Sequence, residues 1–457
     1  MTTTTRYYLS FLFIFLVWVG CTPDPEEKNN QGMTNEQLKQ ELTTALNDQL
    51  LDKWYPAIMD KEQGGYLSDL DYKWEPNGPQ NKSIVTQARH LWVTSKVAKF
   101  YPEKTAYRQY ADHGYAFLRD KMWDHEKEGF FYTVNRAGEW QNNENNADKW
   151  AYGNAFAIFG LASYYKLTGS EEALDLAKKT FMWLEKYSHD PIHKGHYPFL
   201  NREGQAYGRD LPVPPGQPQL GYKDQNPTIH LLEAFAELYP VWQDSLLRAR
   251  LEETLIIVRD TITRPEGYMN LYFTPDWKEI SFKDSSDESR EKNYNIDHVS
   301  FGHDIETGFL LLEAAELLGE SWYNETLPVA KKLVDHSLEK GFDHQIGGVY
   351  EQGYYFPEGL KIVDERKNWW AQAEGFHSLL LFSTLFPEET RYREGMLLEW
   401  DYIKKYMIDP TYGGWYSFGT DHSPETTTRN KANVWKASYH DGRALMFSLK
   451  LLEKGEH

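Results

Sequence analysis

Apolar side chains recur along this chain at intervals of three and four residues in twelve stretches, near 35–58, 82–101, 104–122, 148–167, 171–187, 227–240, 243–262, 299–318, 322–341, 368–385, 388–407 and 438–453. That spacing lays them along one stripe of a helix, so each stretch is predicted helical. Polar turns with one or two glycines and an aromatic exit punctuate them: DKEQGGY (60–66), DHEKEGFF (124–131), DPIHKGHY (190–197), RPEGY (264–268), DHQIGGVY (343–350) and DPTYGGWY (409–416). Their glycines begin at 64, 129, 195, 267, 347 and 413, so the unit returns after 65, 66, 72, 80 and 66 residues. Twelve helices and six turns make two helices per unit, each pair expected to have its glycine-rich turn on one side of the molecule and a longer connection on the other.

An open stack of helical pairs needs polar capping units, whereas a ring buries its terminal faces against each other. No unit here reads as a polar cap, so the expected fold is all-α, a single closed (α/α)6 barrel over 35–457 with inner helices lining a central depression. The loop GRDLPVPPGQPQLGYKDQ (208–225) and the charged loop near 278–297 would form its rim, and long loops of this kind often carry function.

The N-terminus changes the picture of where the barrel works. MTTTTRYYLSFLFIFLVWVGCTPDPEE has one arginine before an apolar segment too short for a secure membrane span. Residues 1–20 read as a secretory lipoprotein signal, Cys21 as the lipidated residue, and 21–34 as a tether, which places the protein outside the cytoplasm on a lipid anchor. Cys21 is the sole cysteine, which excludes an internal disulfide framework and a cysteine-based zinc site. A net charge of -19 without a Lys/Arg-rich block gives nucleic acid no binding surface. The 16 tryptophans and 31 tyrosines suit sugar rings and their hydroxyls. A small-molecule or oligosaccharide partner is expected, and a monomer or weak homodimer.

Candidate chemistry lies on one helix of each pair, where polar or aromatic residues precede an apolar run. In VTQARHLW, Arg89 sits among aliphatic and aromatic residues. In FGHDIE, His303 and Glu306 are three apart on one helical face, and a carboxylate there can orient an imidazole and raise its basicity. Asn226 and His230 are four apart, as are Trp370 and Glu374, while His440 lies in VWKASYHDGRA, five residues after Trp435. Singly, each has a structural explanation: a helix cap, a packed aromatic, a salt-bridged arginine. Together they collect ionisable groups at one end of the barrel, and buried charges without a purpose cost stability. No HExxH motif and no glycine-rich phosphate loop is present, so neither metal nor nucleotide cofactor is expected.

The segments QARHLW, YGNAFAI, QNPTIHLLEA, FGHDIETGFLLLEAA, NWWAQAEGF and WKASYHDGRA, in this order from about 40 to 455, resemble the N-acylglucosamine 2-epimerase family, above all its bacterial cellobiose and mannobiose 2-epimerase branch. The resemblance implies a cofactor-independent epimerase that inverts C2 of the reducing-end residue of a mannose- or glucose-type disaccharide, or of an N-acyl hexosamine. It implies His303 and His440 as the proton-transfer pair, Arg89 on the carbonyl or enediolate oxygen, Glu306 orienting His303, and His230 assisting ring opening or holding a hydroxyl. Tyr152, Asn226, Trp369, Trp370, Glu374 and Trp435 would shape the substrate subsites. An aldose-ketose isomerase shares the enediolate, and a glycoside-cleaving enzyme or a glycan-binding lipoprotein on the same barrel completes the alternatives. Hydrolysis would want two carboxylates across the bond, whereas the matched pair here is histidine.

Overall fold

Helix α1 (Asn35–Thr44) starts on a reciprocal cap, Thr34 accepting from the Gln37 backbone while the Gln37 side chain accepts from Thr34. It continues through a π-helical stretch (Ala45–Leu51) into α2 (Asp52–Trp54). The computed structural model describes residues 32–141 and 147–454. The predicted signal and Cys21, with the tether up to residue 31, lie outside them.

The helices that follow are α3 (Ile84–Phe100), α4 (Ala106–Phe117), α5 (Ala151–Thr168), α6 (Glu171–Trp183), α7 (Gln225–Leu238), α8 (Ser245–Ile256), α9 (Asp287–Asp297), α10 (Phe301–Leu318), α11 (Glu320–Lys340), α12 (Trp369–Leu385), α13 (Thr390–Tyr402) and α14 (His440–Lys454). Helices α3, α5, α7, α10, α12 and α14 each pack on the next, and α14 packs on α3, which closes an inner ring. The outer helices lie against them. The fold is thus the (α/α)6 barrel expected. Inner helices α5, α10 and α12 are buried along most of their length, as helices walled on every side must be. Where α5 crosses α3, Gly160 has no room for a side chain: a Cβ there would meet the Ala88 carbonyl at 2.8 Å.

Three details depart from the sequence reading. The charged loop near 278–297 contains a helix, α9, capped by Ser286. The outer helices before five of the turns end in π-helical stretches, Leu118–Met122, Leu184–Ser188, Ile257–Ile262 and Ile403–Met407 besides the one after α1. The glycine turns and the long connections also share one side of the barrel rather than facing opposite sides. Each outer helix runs into its glycine turn and then an extended segment that enters the next inner helix, whereas inner-to-outer links are short, a single glycine (Gly319) between α10 and α11. The short antiparallel pairs β1 (Lys82–Ser83) with β2 (Thr133–Val134), β3 (Lys149–Trp150) with β4 (Phe199–Leu200), and β5 (Lys223–Asp224) with β6 (Tyr272–Phe273) join neighbouring extended segments, while β7 (Gln352–Phe356) and β8 (Gly359–Asp364) form a hairpin.

One device holds the turns to the barrel. Asp60, Asp124, Asp190, Asp343 and Asp409 each accept two backbone N–H groups of their own turn through one oxygen. The other oxygen accepts from a buried lysine: Lys82, Lys149, Lys223, Lys367 and Lys431 respectively. In four units that lysine lies two residues before the inner helix. The fourth unit lacks both partners, with Arg264 in the aspartate position and Val299 in the lysine position; Arg264 points instead to Glu279.

Candidate active site

The extended segments deliver every inner helix to the same face, so the six helix entries can be laid over one another: IVTQAR (84–89), AYGNAF (151–156), QNPTIH (225–230), FGHDIE (301–306), WWAQAE (369–374) and SYHDGR (438–443). In four of the six, the fourth position clamps the turn. Gln87, Asn154 and Gln372 each bond both the N–H and the C=O of one turn residue, Tyr66, Phe130 and Val349, and Asp304 accepts from the Met269 N–H. The sixth position, Arg89, Phe156, His230, Glu306, Glu374 and Arg443, turns into the barrel and makes one continuous layer. The Arg89 guanidinium lies 4.4 Å from the Phe156 ring centre, Phe156 is 4.9 Å from His230, and Arg443 reaches Glu306 (2.5 Å) and Glu374 (2.7 Å).

His303 and His440 share the third position, two units apart. Trp370, from the unit between them, lies beside both, at 4.6 Å from the His303 ring and 5.9 Å from the His440 ring. Nδ1 of His440 is 2.6 Å from Glu374 Oε1. Nδ1 of His303 is 2.8 Å from the Ser300 hydroxyl. The expectation that Glu306 orients His303 is therefore corrected. Residues three apart share a helical face, but the Glu306 carboxylate is drawn inward to Arg443, and Ser300 takes its place behind the imidazole.

His230 Nδ1 lies 2.9 Å from Glu233 Oε2, and the ring packs edge-on to Tyr152. Arg89, 4 % exposed, donates to the Trp435 carbonyl and to the Tyr152 hydroxyl, both at 3.0 Å, and no carboxylate pairs with it among the described residues. Trp369 is buried with its indole 6.5 Å from His440, whereas Trp435 is 46 % exposed at the rim. Several buried polar atoms here have no partner: Arg89 Nε, Asn226 Oδ1, Trp369 Nε1 and one oxygen each of Glu306 and Glu374. Buried polar atoms are usually satisfied, so those of this layer are free to meet polar ligand atoms.

Electrostatics divide the histidines from their carboxylates. Burial pushes His303 down to about 3, and the neighbouring His230 and His298 add to it. Burial, then Arg89 and Arg443, hold His440 well below its ordinary value. Glu374 is driven the other way, well above the usual carboxylate range, by burial and by the charge of Glu306, although Arg443 opposes this. Both shifts favour the uncharged form of each group. Burial also works against ionised Glu233, but Arg443 and His230 outweigh it and hold it down to about 2.

Donor atoms of Glu306, Glu374 and His440 lie within 4.8 Å of one another, close enough for a cation. The guanidinium of Arg443 already bonds both carboxylates, so the cation of this cluster is a side chain. Sequence reasoning passed over Arg443, Glu233 and Ser300. Laying the six helix entries over one another would have found Arg443, as the sixth-position partner of Arg89, His230, Glu306 and Glu374.

The family model described as N-acylglucosamine 2-epimerase (GlcNAc 2-epimerase) matches residues 65–442. A cellobiose 2-epimerase of Bacteroides fragilis is 28% identical, the match covering 90% of this chain and 98% of that protein. A D-mannose isomerase of Marinomonas mediterranea is 25% identical over 87% of this chain and 94% of its own. The solved structure of cellobiose 2-epimerase from Spirochaeta thermophila is 29% identical, with a TM-score of 0.78 over 94% of this chain and 100% of that one.

Proposed function

The chain belongs to the N-acylglucosamine 2-epimerase family, and from that premise we propose that it inverts C2 at the reducing end of a mannose- or glucose-type disaccharide through an enediolate. The observation that carries the reading is the pair of imidazoles, His303 and His440, at the same position of two helix entries, flanking Trp370 beside a guanidinium with no carboxylate partner among the described residues. Inversion at carbon needs a proton taken from one face and another given to the opposite face, and two separate groups do this without a large movement.

In this reading the sugar ring opens and His230 holds the hydroxyl freed at C5. The aldehyde oxygen lies on Arg89, whose permanent charge and fixed fork suit an oxyanion. One imidazole removes the C2 proton, and the electron pair of the C–H bond moves onto the carbonyl oxygen to give a cis-enediolate. Both histidines are held neutral, the form in which they accept a proton. Reprotonation from the His440 side runs along its hydrogen bond: Nε2–H passes to C2 as the Glu374 proton moves to Nδ1. The charge left on Glu374 then faces Arg443. Reverse turnover runs the same steps backwards. In the same reading, the unpartnered oxygens of Glu306, Glu374 and Asn226 would accept from sugar hydroxyls.

The D-mannose isomerase relative favours one second reading, return of the proton to C1 to give a ketose. Proton NMR of the purified barrel with mannobiose, cellobiose and N-acetylglucosamine, each in D2O, separates the two. A C2 epimer carrying deuterium at C2 supports epimerisation, a ketose supports isomerisation, and unchanged sugars count against both. The anchor at Cys21 and an extracytoplasmic address are part of the same proposal, supported by the apolar segment before the sole cysteine. Labelling of the expressed protein with radioactive palmitate tests it, Cys21→Ser being expected to abolish the label.

A further inference from the structure

Three carboxylates and one guanidinium are buried together beneath the histidines. Arg443 donates to Glu233 and to the Tyr439 hydroxyl through Nη1, and to Glu306 and Glu374 through Nη2. Its far side rests on the Phe309 ring at 5.0 Å. Glu233 backs His230 and Glu374 backs His440, so both carboxylate-backed histidines hang from the same side chain. His303, backed by Ser300, is outside this group.

We propose that Arg443 is a positioning residue for both pairs: its fork sets the carboxylates behind His230 and His440, and its charge opposes uptake of a proton by His440. The catalytic half rests on the epimerase reading above, while the electrostatic half concerns the free protein alone. One guanidinium balances one of three carboxylates, and the surplus negative charge obliges the cluster to retain protons. Arg443 is the largest influence against the burial of Glu233 and holds it ionised, while burial and the charge of Glu306 push Glu374 the other way. His440 is faced by Arg89 from α3, His230 from α7, His303 and Glu306 from α10 and Glu374 from α12, with Arg443 below it on α14. Lysine supplies the same charge without the fork, and methionine supplies neither, so the two functions separate.

The test compares Arg443→Met and Arg443→Lys with the parent protein, labelled with 15N-histidine, the His440 signal being assigned by its loss in His440→Gln. Imidazole titration is followed from about pH 8 down to the lowest pH at which circular dichroism shows the protein folded. In Arg443→Met the His440 titration should move upward by about one unit or more. In Arg443→Lys it should stay near the parent value while kcat falls about tenfold or more at nearly constant KM, the split expected when ground-state binding is untouched. A folded Arg443→Met protein with His440 unmoved overturns the electrostatic half, and parent kcat in Arg443→Lys overturns the positioning half. If Arg443→Met fails to fold by circular dichroism, Arg443→Lys alone decides, reduced kcat with unmoved titration supporting the proposal and parent kcat overturning it. If the parent epimerises no sugar, the functional reading fails, and the imidazole titration still decides the role of the Arg443 charge.

Discussion

Replacing Lys223 by methionine should unfold this barrel far more easily than the loss of one hydrogen-bonded contact suggests. Lys223 and Asp190 are 0 % and 2 % exposed, and the lysine donates to Asp190 Oδ2 at 2.9 Å and to the Lys194 carbonyl at 2.5 Å. Burial opposes an ionised Asp190, yet Lys223 and the N–H groups of His193 and Ile192 hold it below the usual carboxylate range. Methionine fills the channel of the lysine stem but leaves that carboxylate buried without its counter-charge, a change that costs about 3–5 kcal/mol. The pair Asp190–Lys223 is the clean case, because Asp60 and Asp124 also hold Arg136 and Arg202. Adding Asp190→Asn should restore most of the loss: the asparagine oxygen still accepts the two turn N–H groups, and only about 1 kcal/mol of hydrogen bonding to Lys194 is forfeited. The fourth unit, with Arg264 and Val299, already folds without the pair. Urea unfolding followed by tryptophan fluorescence measures all three proteins, with stability read from midpoints at a common slope. A single mutant within about 1 kcal/mol of the parent, or a double mutant as unstable as the single, would refute this reasoning.

Further tests address the site. Arg89→Met should lower kcat by about 10²–10³ through loss of the oxyanion donor, with helical circular dichroism preserved, and Arg89→Lys should recover only part of it. His303→Ala and His440→Ala should each lower turnover by about 10²–10⁴ in the deuterium-incorporation assay; a variant of either residue with normal turnover refutes the two-histidine scheme. Stability should fall as pH drops below about 6.5, because His90 and His377 are both pushed down to about 3 by burial and so take up protons in the unfolded chain before the folded one. His90→Gln should flatten that slope in urea titrations between about pH 6.5 and about pH 4, whereas an unchanged slope rules out His90 as a contributor.

The period of the apolar positions made the twelve barrel helices legible, because a helix walled by neighbours declares itself through three- and four-residue spacing. It missed α9, whose charged face carries little apolar rhythm, and the π-helical ends, which continue the rhythm while changing the hydrogen bonding. Arg89, His303 and His440 could be picked out as ionisable groups at the heads of apolar runs. Their partners could not be read that way. Whether Glu306 turns toward His303 on its own helix or across the barrel to Arg443 depends on which helices face each other, and spacing within one helix carries no information about that. Glu233, one turn deeper than His230, looked like an ordinary acidic residue until the barrel placed Arg443 beside it.

The common third position of His303 and His440 has a geometric consequence. A barrel of repeated helical pairs has rotation as its approximate symmetry and no mirror plane, yet a C2 epimer differs from its parent by reflection at a single carbon. Two histidines at one repeat position, separated by two of six rotational steps and backed by different groups, would in the proposed reaction serve the two faces of a planar intermediate. In the proposed reaction, handedness at the substrate is erased and rewritten by parts of the same hand, and the tandem repeat that builds the scaffold also supplies the two proton carriers.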